Sequence, residues 1–152
     1  MPGYGLPKGT KGLLAWQWAE RRLKQSHNYV LMTVRPDATP HAMIVWGIWV
    51  DGRFYFSTGR QSRKARNLAS NPACVVCTED IAATVVVEGR AVEVADPQLV
   101  PRLADPYFRK YKPWKLDPSM GPIFEVQPRV AFGLREKTFK DATRWRFEYP
   151  DR

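Results

Sequence analysis

The sequence predicts a mainly β (α+β) domain, in which six or seven antiparallel strands close into a barrel flanked by a few helices. Three observations carry this. Short runs rich in β-branched and aromatic residues recur between clusters of turn formers, Asp51-Gly52 sits directly between two apolar strands, and only a few segments read as helices.

Taken in order, residues 13–24 place Leu13, Trp16, Ala19 and Leu23 on one face, which predicts an amphipathic helix lying over a sheet. Residues 29–35 and 41–50 read as strands joined through Pro36-Asp37-Ala38-Thr39-Pro40, a run of turn formers. Trp46 and Trp49 then fall on opposite faces of one strand, one in the core and one free to line a pocket or an interface. Asp51-Gly52 is a strong hairpin signal leading into an aromatic strand over 53–57. Ala65, Leu68 and Ala69 mark a second helix with Ser62 at its N-cap, and Asn71-Pro72 ends it. Strands follow over 73–78 and 84–94, the second with Glu88-Gly89-Arg90 at its middle, where glycine permits a bulge. Asp96-Pro97 opens a third helix reaching residue 111. A proline-interrupted loop over 112–122 presents Trp114 and Met120 as pocket residues, and strands over 123–134 and 143–149 close the fold. Repeats and linkers are absent, so the expectation is one domain over residues 1–152.

The chain has 152 residues, 44% of them hydrophobic, which is ample for a core. Its net charge is +9, from 24 basic and 15 acidic residues, and this favours anionic partners. No run approaches the ~20 apolar residues that span a bilayer, and Met1-Pro2-Gly3-Tyr4-Gly5 lacks the basic-then-apolar order of a signal peptide. The expectation is a cytoplasmic protein with no membrane partner. Cys74 and Cys77 have C-x-x-C spacing, but on a strand such residues point to opposite faces and no second ligand pair exists, so they read as core cysteines rather than a metal site. No nucleic-acid-binding motif accompanies the basic residues.

The chemistry concentrates between residues 54 and 68. A strand ends at Ser57-Thr58, and Arg60, Arg63, Lys64 and Arg66 surround the Ser62 helix start. Unpaired N–H groups, the helix dipole, hydroxyls and full positive charges together suit a phosphate. A capped, solvated basic helix has the same composition, and these residues alone leave both readings open.

The ordered set Phe56-x-Thr58, Ser62-Arg63-Lys64-Ala65, Asn71-Pro72 and Val87-Glu88-Gly89 resembles the pyridoxamine 5′-phosphate oxidase-like FMN-binding split-barrel flavoproteins, over residues 29–94. The resemblance implies a split-barrel homodimer whose cofactor site is built from both subunits. It implies that Ser62, Arg63 and Lys64 hold the phosphate end of the cofactor, with Thr58 beside them and the ring along the backbone of Met43 to Val45 and of Ser57 and Thr58. Thr84 takes the approximate position of a flavin-contacting glutamine of the vitamin B6 oxidases, across the dimer. In those oxidases the strand equivalent to residues 42–48 carries an arginine and a lysine. Here it reads Ala42-Met43-Ile44-Val45-Trp46-Gly47-Ile48, which argues against vitamin B6 oxidation.

Thr33-Val34-Arg35-Pro36-Asp37, Arg66-Asn67-Leu68 and Thr143-Arg144-Trp145-Arg146-Phe147 are more similar to the actinobacterial branch that uses the deazaflavin coenzyme F420. The phosphodiester and polyglutamate tail of that cofactor would occupy the extra cations Arg60 and Arg66. The implied activity is hydride transfer between the deazaflavin and a small unsaturated or oxidised organic substrate. The alternatives are an FMN-binding oxidoreductase or flavin-storage protein, and a non-enzymatic basic module for nucleic acid or haem. His41 is a minor candidate as proton donor, His27 reads as a helix cap, and Tyr107, Tyr111 and Trp114 as walls of a substrate cleft or as helix packing.

Overall fold

The computed structural model describes residues 13–148. Helix α1 spans Trp16–Gln25, and strands β1 (Tyr29–Val34), β2 (Pro40–Val45), β3 (Ile48–Val50) and β4 (Arg53–Ser57) follow. Helix α2 is Arg63–Ser70, β5 is Ala73–Thr78, β6 is Ala83–Glu93, α3 is Leu99–Tyr111, β7 is Ile123–Arg135 and β8 is Thr143–Arg146. Seven strands form one antiparallel path, β2-β1-β5-β6-β7-β4-β3, and the short β8 pairs with β7.

The two ends of this path, β2 and β3, are consecutive in sequence, with only Trp46 and Gly47 between them. Three Cα steps reach at most about 11 Å, so the sheet must curl until its ends meet. The result is a split barrel, closed at the seam by the chain rather than by ladder hydrogen bonds.

The single strand expected over 41–50 is therefore broken. At Gly47 a β-carbon would overlap the Phe54 ring, so the backbone approaches β4 as only glycine permits. Its N–H donates to the Tyr111 hydroxyl and its carbonyl accepts from Lys110 Nζ, both at 2.8 Å, and α3 thus satisfies polar groups that a ladder would have used. Trp46 and Trp49 consequently belong to different places rather than to opposite faces of one strand. Trp46 stacks on Tyr111 with ring centroids 4.6 Å apart, whereas Trp49 is buried against Trp16 and donates to Glu20 at 3.3 Å.

The remaining elements follow local chemistry. Asp51 and Gly52 both take positive φ, 49° and 76°, the pair of left-handed residues that a tight β3–β4 hairpin requires. The β6–β7 register shifts between Glu88 and Gly89, where the predicted bulge lies. Helix α1 starts at Trp16, later than its apolar stripe, because the Leu14 N–H is taken by Thr143 Oγ1 at 2.9 Å and the chain there runs beside β8. The Asp96 carboxylate caps Gln98 N–H at 2.9 Å, and α3 starts at Leu99. The last predicted strand stops at Arg146, and residue 149 lies outside the described residues, as do Met1 to Gly5.

Inside the barrel Tyr29, Leu31, Phe54, Phe56, Val76, Val85, Val87 and Val126 form the core, alternating along their strands and roofed by Leu23 of α1. A second cluster of Ile48, Tyr55, Leu103, Tyr111 and Ile123 lies beneath α3, so β4 is buried on both faces. Cys74 and Cys77 are free, the first buried and the second half-buried, as expected for a strand in the sheet. Among the described residues no group of side chains could hold a metal ion, and no helix is long and apolar enough to cross a membrane.

Candidate anion site at the start of the second helix

Where β4 ends, Thr58 donates its N–H to the Pro122 carbonyl at 3.3 Å, and Ser62 N–H bonds back to Gly59 at 3.0 Å. This compact turn delivers Ser62 to the N-cap of α2, where Oγ accepts from Ala65 N–H at 3.2 Å. Thr58 Oγ1 in turn donates to Ser62 Oγ at 3.1 Å. The first turn of α2 holds no acidic residue, so nothing offsets the positive end of its dipole.

The helix is firmly seated. Ala65 and Leu68 enter the core, and Asn67, fully buried, donates Nδ2 to Thr33 Oγ1 of β1 at 3.0 Å. Its Oδ1 is buried without a hydrogen-bond partner.

The four predicted cations separate into two sets. Among the described residues Arg63, Lys64 and Arg66 have no carboxylate within 4.0 Å, whereas Arg60 is held by Glu93 at 2.7 Å. Burial holds the Lys64 ammonium below the ordinary lysine range. Arg63 and Lys64 bear electrostatically on His41 of β2, but Arg60 and Arg66 line a groove of about 510 Å³ between α2 and β6. Arg90 joins them there, over a floor of Leu68 and Phe124. Arg90 carries no sequence signal, since only the antiparallel pairing of β5 with β6 brings it beside α2.

His41 stands opposite Thr33 in the β1–β2 register, and its Nδ1 is buried without a hydrogen-bond partner. Burial first, then Arg35, Lys64 and Arg63, push its pKa below the ordinary histidine value. Met43 is half exposed on β2, and Val45 turns into the core, so at that position only backbone is available to a ligand. Beyond β1, β2 has no second neighbour among the described strands, and Ile44 beside Met43 is 65% exposed.

Other expected residues lie elsewhere. Thr84 sits near the opposite end of β6, six residues or roughly 20 Å along the strand from Arg90, with its hydroxyl 3.4 Å from that of Thr78. One chain alone does not bring it to α2. His27 does not cap α1, whose C-cap is Ser26; its ring packs on Trp46 and Tyr111. Tyr107 and Tyr111 pack with the cluster beneath α3, while Trp114 and Met120 are exposed.

Comparison with known proteins agrees with this architecture. Residues 17–138 match the family model described as pyridoxamine 5′-phosphate oxidase. A pyridoxine/pyridoxamine 5′-phosphate oxidase of Bacteroides thetaiotaomicron is 31% identical over 126 residues, covering 76% of this chain and 54% of that protein. The chain thus spans about half the length of that curated relative. A conserved hypothetical protein of Mycobacterium tuberculosis superposes with a TM-score of 0.72 at 21% identity, over 86% of this chain and 91% of the other. A solved F420 reductase superposes with a TM-score of 0.61 at 26% identity, over 74% of this chain and 94% of that one.

Proposed function

This chain belongs to the pyridoxamine 5′-phosphate oxidase family of flavin-binding oxidoreductases, and from that premise we propose that it is a coenzyme F420-dependent oxidoreductase. It would transfer a hydride between the deazaflavin and a small unsaturated or oxidised organic substrate.

The observation that carries the reading is the start of α2. A capped helix N-terminus with no acidic residue in its first turn, the Thr58 hydroxyl, and Arg63 and Lys64, which have no carboxylate partner among the described residues, form a donor set that fits a phosphate. Ser62 and Lys64 would hold the phosphate, and Thr58 would orient Ser62. The backbone of Met43 to Val45 on β2, the last described strand at that end of the sheet, together with Ser57 and Thr58, would flank the ring. The bound cofactor supplies the hydride chemistry, so the protein's task is binding, orientation and exclusion of water.

Two observations favour the deazaflavin over FMN. The groove beside α2 carries Arg66 and Arg90 next to the Arg60–Glu93 pair, cations beyond those a single phosphate needs, which suits the carboxylates of a glutamate tail. The likeness to an F420 reductase points the same way. The apolar run from Ala42 to Val45 on β2 speaks against vitamin B6 oxidation.

The exposed Met43 and Ile44 on a strand with a free edge support a homodimer, in which Thr84 of the second subunit would complete the site. The flavin reading, an FMN-dependent oxidoreductase or flavin-storage protein, rests on the 31% identity to a vitamin B6 oxidase.

Titration of the apo-protein with F420 and with FMN, followed by absorbance, separates the two. F420 is expected to bind more tightly, and Lys64→Ala to weaken it by about 10- to 100-fold, the scale of a charge-assisted hydrogen bond. Equal or tighter binding of FMN would overturn the deazaflavin assignment, and unchanged binding by Lys64→Ala would overturn the phosphate site.

A further inference from the structure

We propose that His41 is a conditional cation of this site: it takes up a proton from solvent when a phosphate group binds beside Ser62 and Lys64. This rests on the reading of the α2 start as a phosphate site, and it assigns His41 to binding rather than to proton donation toward a substrate.

The argument begins with what surrounds the imidazole. From β1 and the turn beyond it come Thr33, directly opposite, and Arg35, whose guanidinium is fixed on the Pro40 carbonyl at 2.6 Å. Helix α2 is seated against Thr33, the residue opposite His41, through the Asn67 hydrogen bond at 3.0 Å, and from it come Arg63 and Lys64. The other charged group of the β1–β2 turn is Asp37, but its carboxylate is engaged by Thr39, from the N–H at 3.0 Å and the hydroxyl at 2.6 Å. Among the described residues no carboxylate bears on His41. Three cations thus disfavour a fourth, and the buried Nδ1 has no acceptor to stabilise an added proton.

An anion at the helix start reverses the first condition, because it offsets the field of Arg63 and Lys64. An opposite charge within about 4–6 Å favours a charged form by one to three pH units. The same balance makes ligand binding tighten as pH falls, by one proton per ligand.

The readout is the histidine itself. The chain has two histidines, so NMR of the imidazole C–H groups gives two resonances, assigned with His41→Gln, and His27 serves as internal reference. Each is titrated over roughly pH 5–8 in the free protein and with saturating riboflavin, FMN or F420. FMN and riboflavin differ only by the phosphate. The expected result is a rise of about tenfold or more in the proton affinity of His41 with whichever phosphorylated ligand binds. Riboflavin should not move it. If neither phosphorylated ligand binds, or if Lys64→Ala binds them as well as the parent, the phosphate reading fails and this inference falls with it. If binding depends on Lys64 and His41 titrates as in the free protein, the inference alone is overturned.

Discussion

Gly121 passes so close behind Thr58 that a β-carbon on it would overlap the Thr58 carbonyl oxygen. The following residue accepts the Thr58 N–H through the Pro122 carbonyl at 3.3 Å. The loop between α3 and β7 is therefore a buttress for the turn that presents the α2 start, although it contributes no side chain to it.

Gly121→Ala should push the backbone of Thr58 and Gly59 forward. We expect a loss of about 1–3 kcal/mol in stability, the usual scale of overpacking, together with about tenfold weaker cofactor binding. Gly59→Ala is the control, since its β-carbon would meet nothing within 4 Å. Chemical denaturation and cofactor titration of the two variants check the contrast. Equal effects would remove the buttress argument.

Ser62 has two tasks that substitution can separate. Ser62→Ala loses the bond to Ala65 N–H and should cost about 1 kcal/mol as well as weaken binding. Ser62→Asp retains an N-cap acceptor and should keep most of the stability, but its carboxylate repels a phosphate, so binding should fall further than in the alanine variant. Thermal melts paired with titrations reveal whether capping and binding part in this way.

Lys110 is half-buried between Tyr29, at 2.6 Å, and the Gly47 carbonyl, and burial pushes its pKa down to about 8. The unfolded chain therefore holds this proton more tightly than the folded one between pH 8 and the ordinary lysine value, so Lys110 makes stability rise with pH across that window. Its contribution is present in full at the upper end and lost below about pH 8. The stability difference between the parent and Lys110→Met should shift in favour of the parent from pH 7.5 to 10, as measured by denaturant melts. A difference independent of pH would contradict the assignment.

The groove between α2 and β6 predicts a selective loss. Arg66→Ala and Arg90→Ala should weaken F420 by roughly three- to tenfold while leaving FMN within twofold, because only the former carries charge beyond the phosphate region. Stability should change by less than about 0.5 kcal/mol, as for exposed side chains in general. Parallel weakening of both cofactors would place these arginines at the phosphate instead.

Much of this fold is legible in the sequence because local chemistry and tertiary structure agree. Ser62 caps α2, Asp51-Gly52 turns the hairpin and Gly89 marks the bulge, each by a backbone rule that acts within a few residues. The break at Trp46-Gly47 was hidden because its causes, the Phe54 ring and the Lys110 and Tyr111 side chains, come from distant segments. The site divides in the same manner. The proximity of Ser62, Arg63 and Lys64 follows from helical spacing, but the capture of Arg60 by Glu93, the arrival of Arg90 and the placement of His41 opposite Thr33 depend on strand pairing.

The seam at Trp46-Gly47 also governs how the protein comes into being. Although β2 and β3 are two residues apart, they never pair, so no ladder can zip outward from that turn. Closure waits on β1 meeting β5 and β4 meeting β7, the latter across some seventy residues of chain (Tyr55 opposite Glu125). His41 arrives with one half and Thr58 with the other. The two come together only in a chain that has finished folding, so ligand binding at the start of α2 would report on closure of the barrel as a whole.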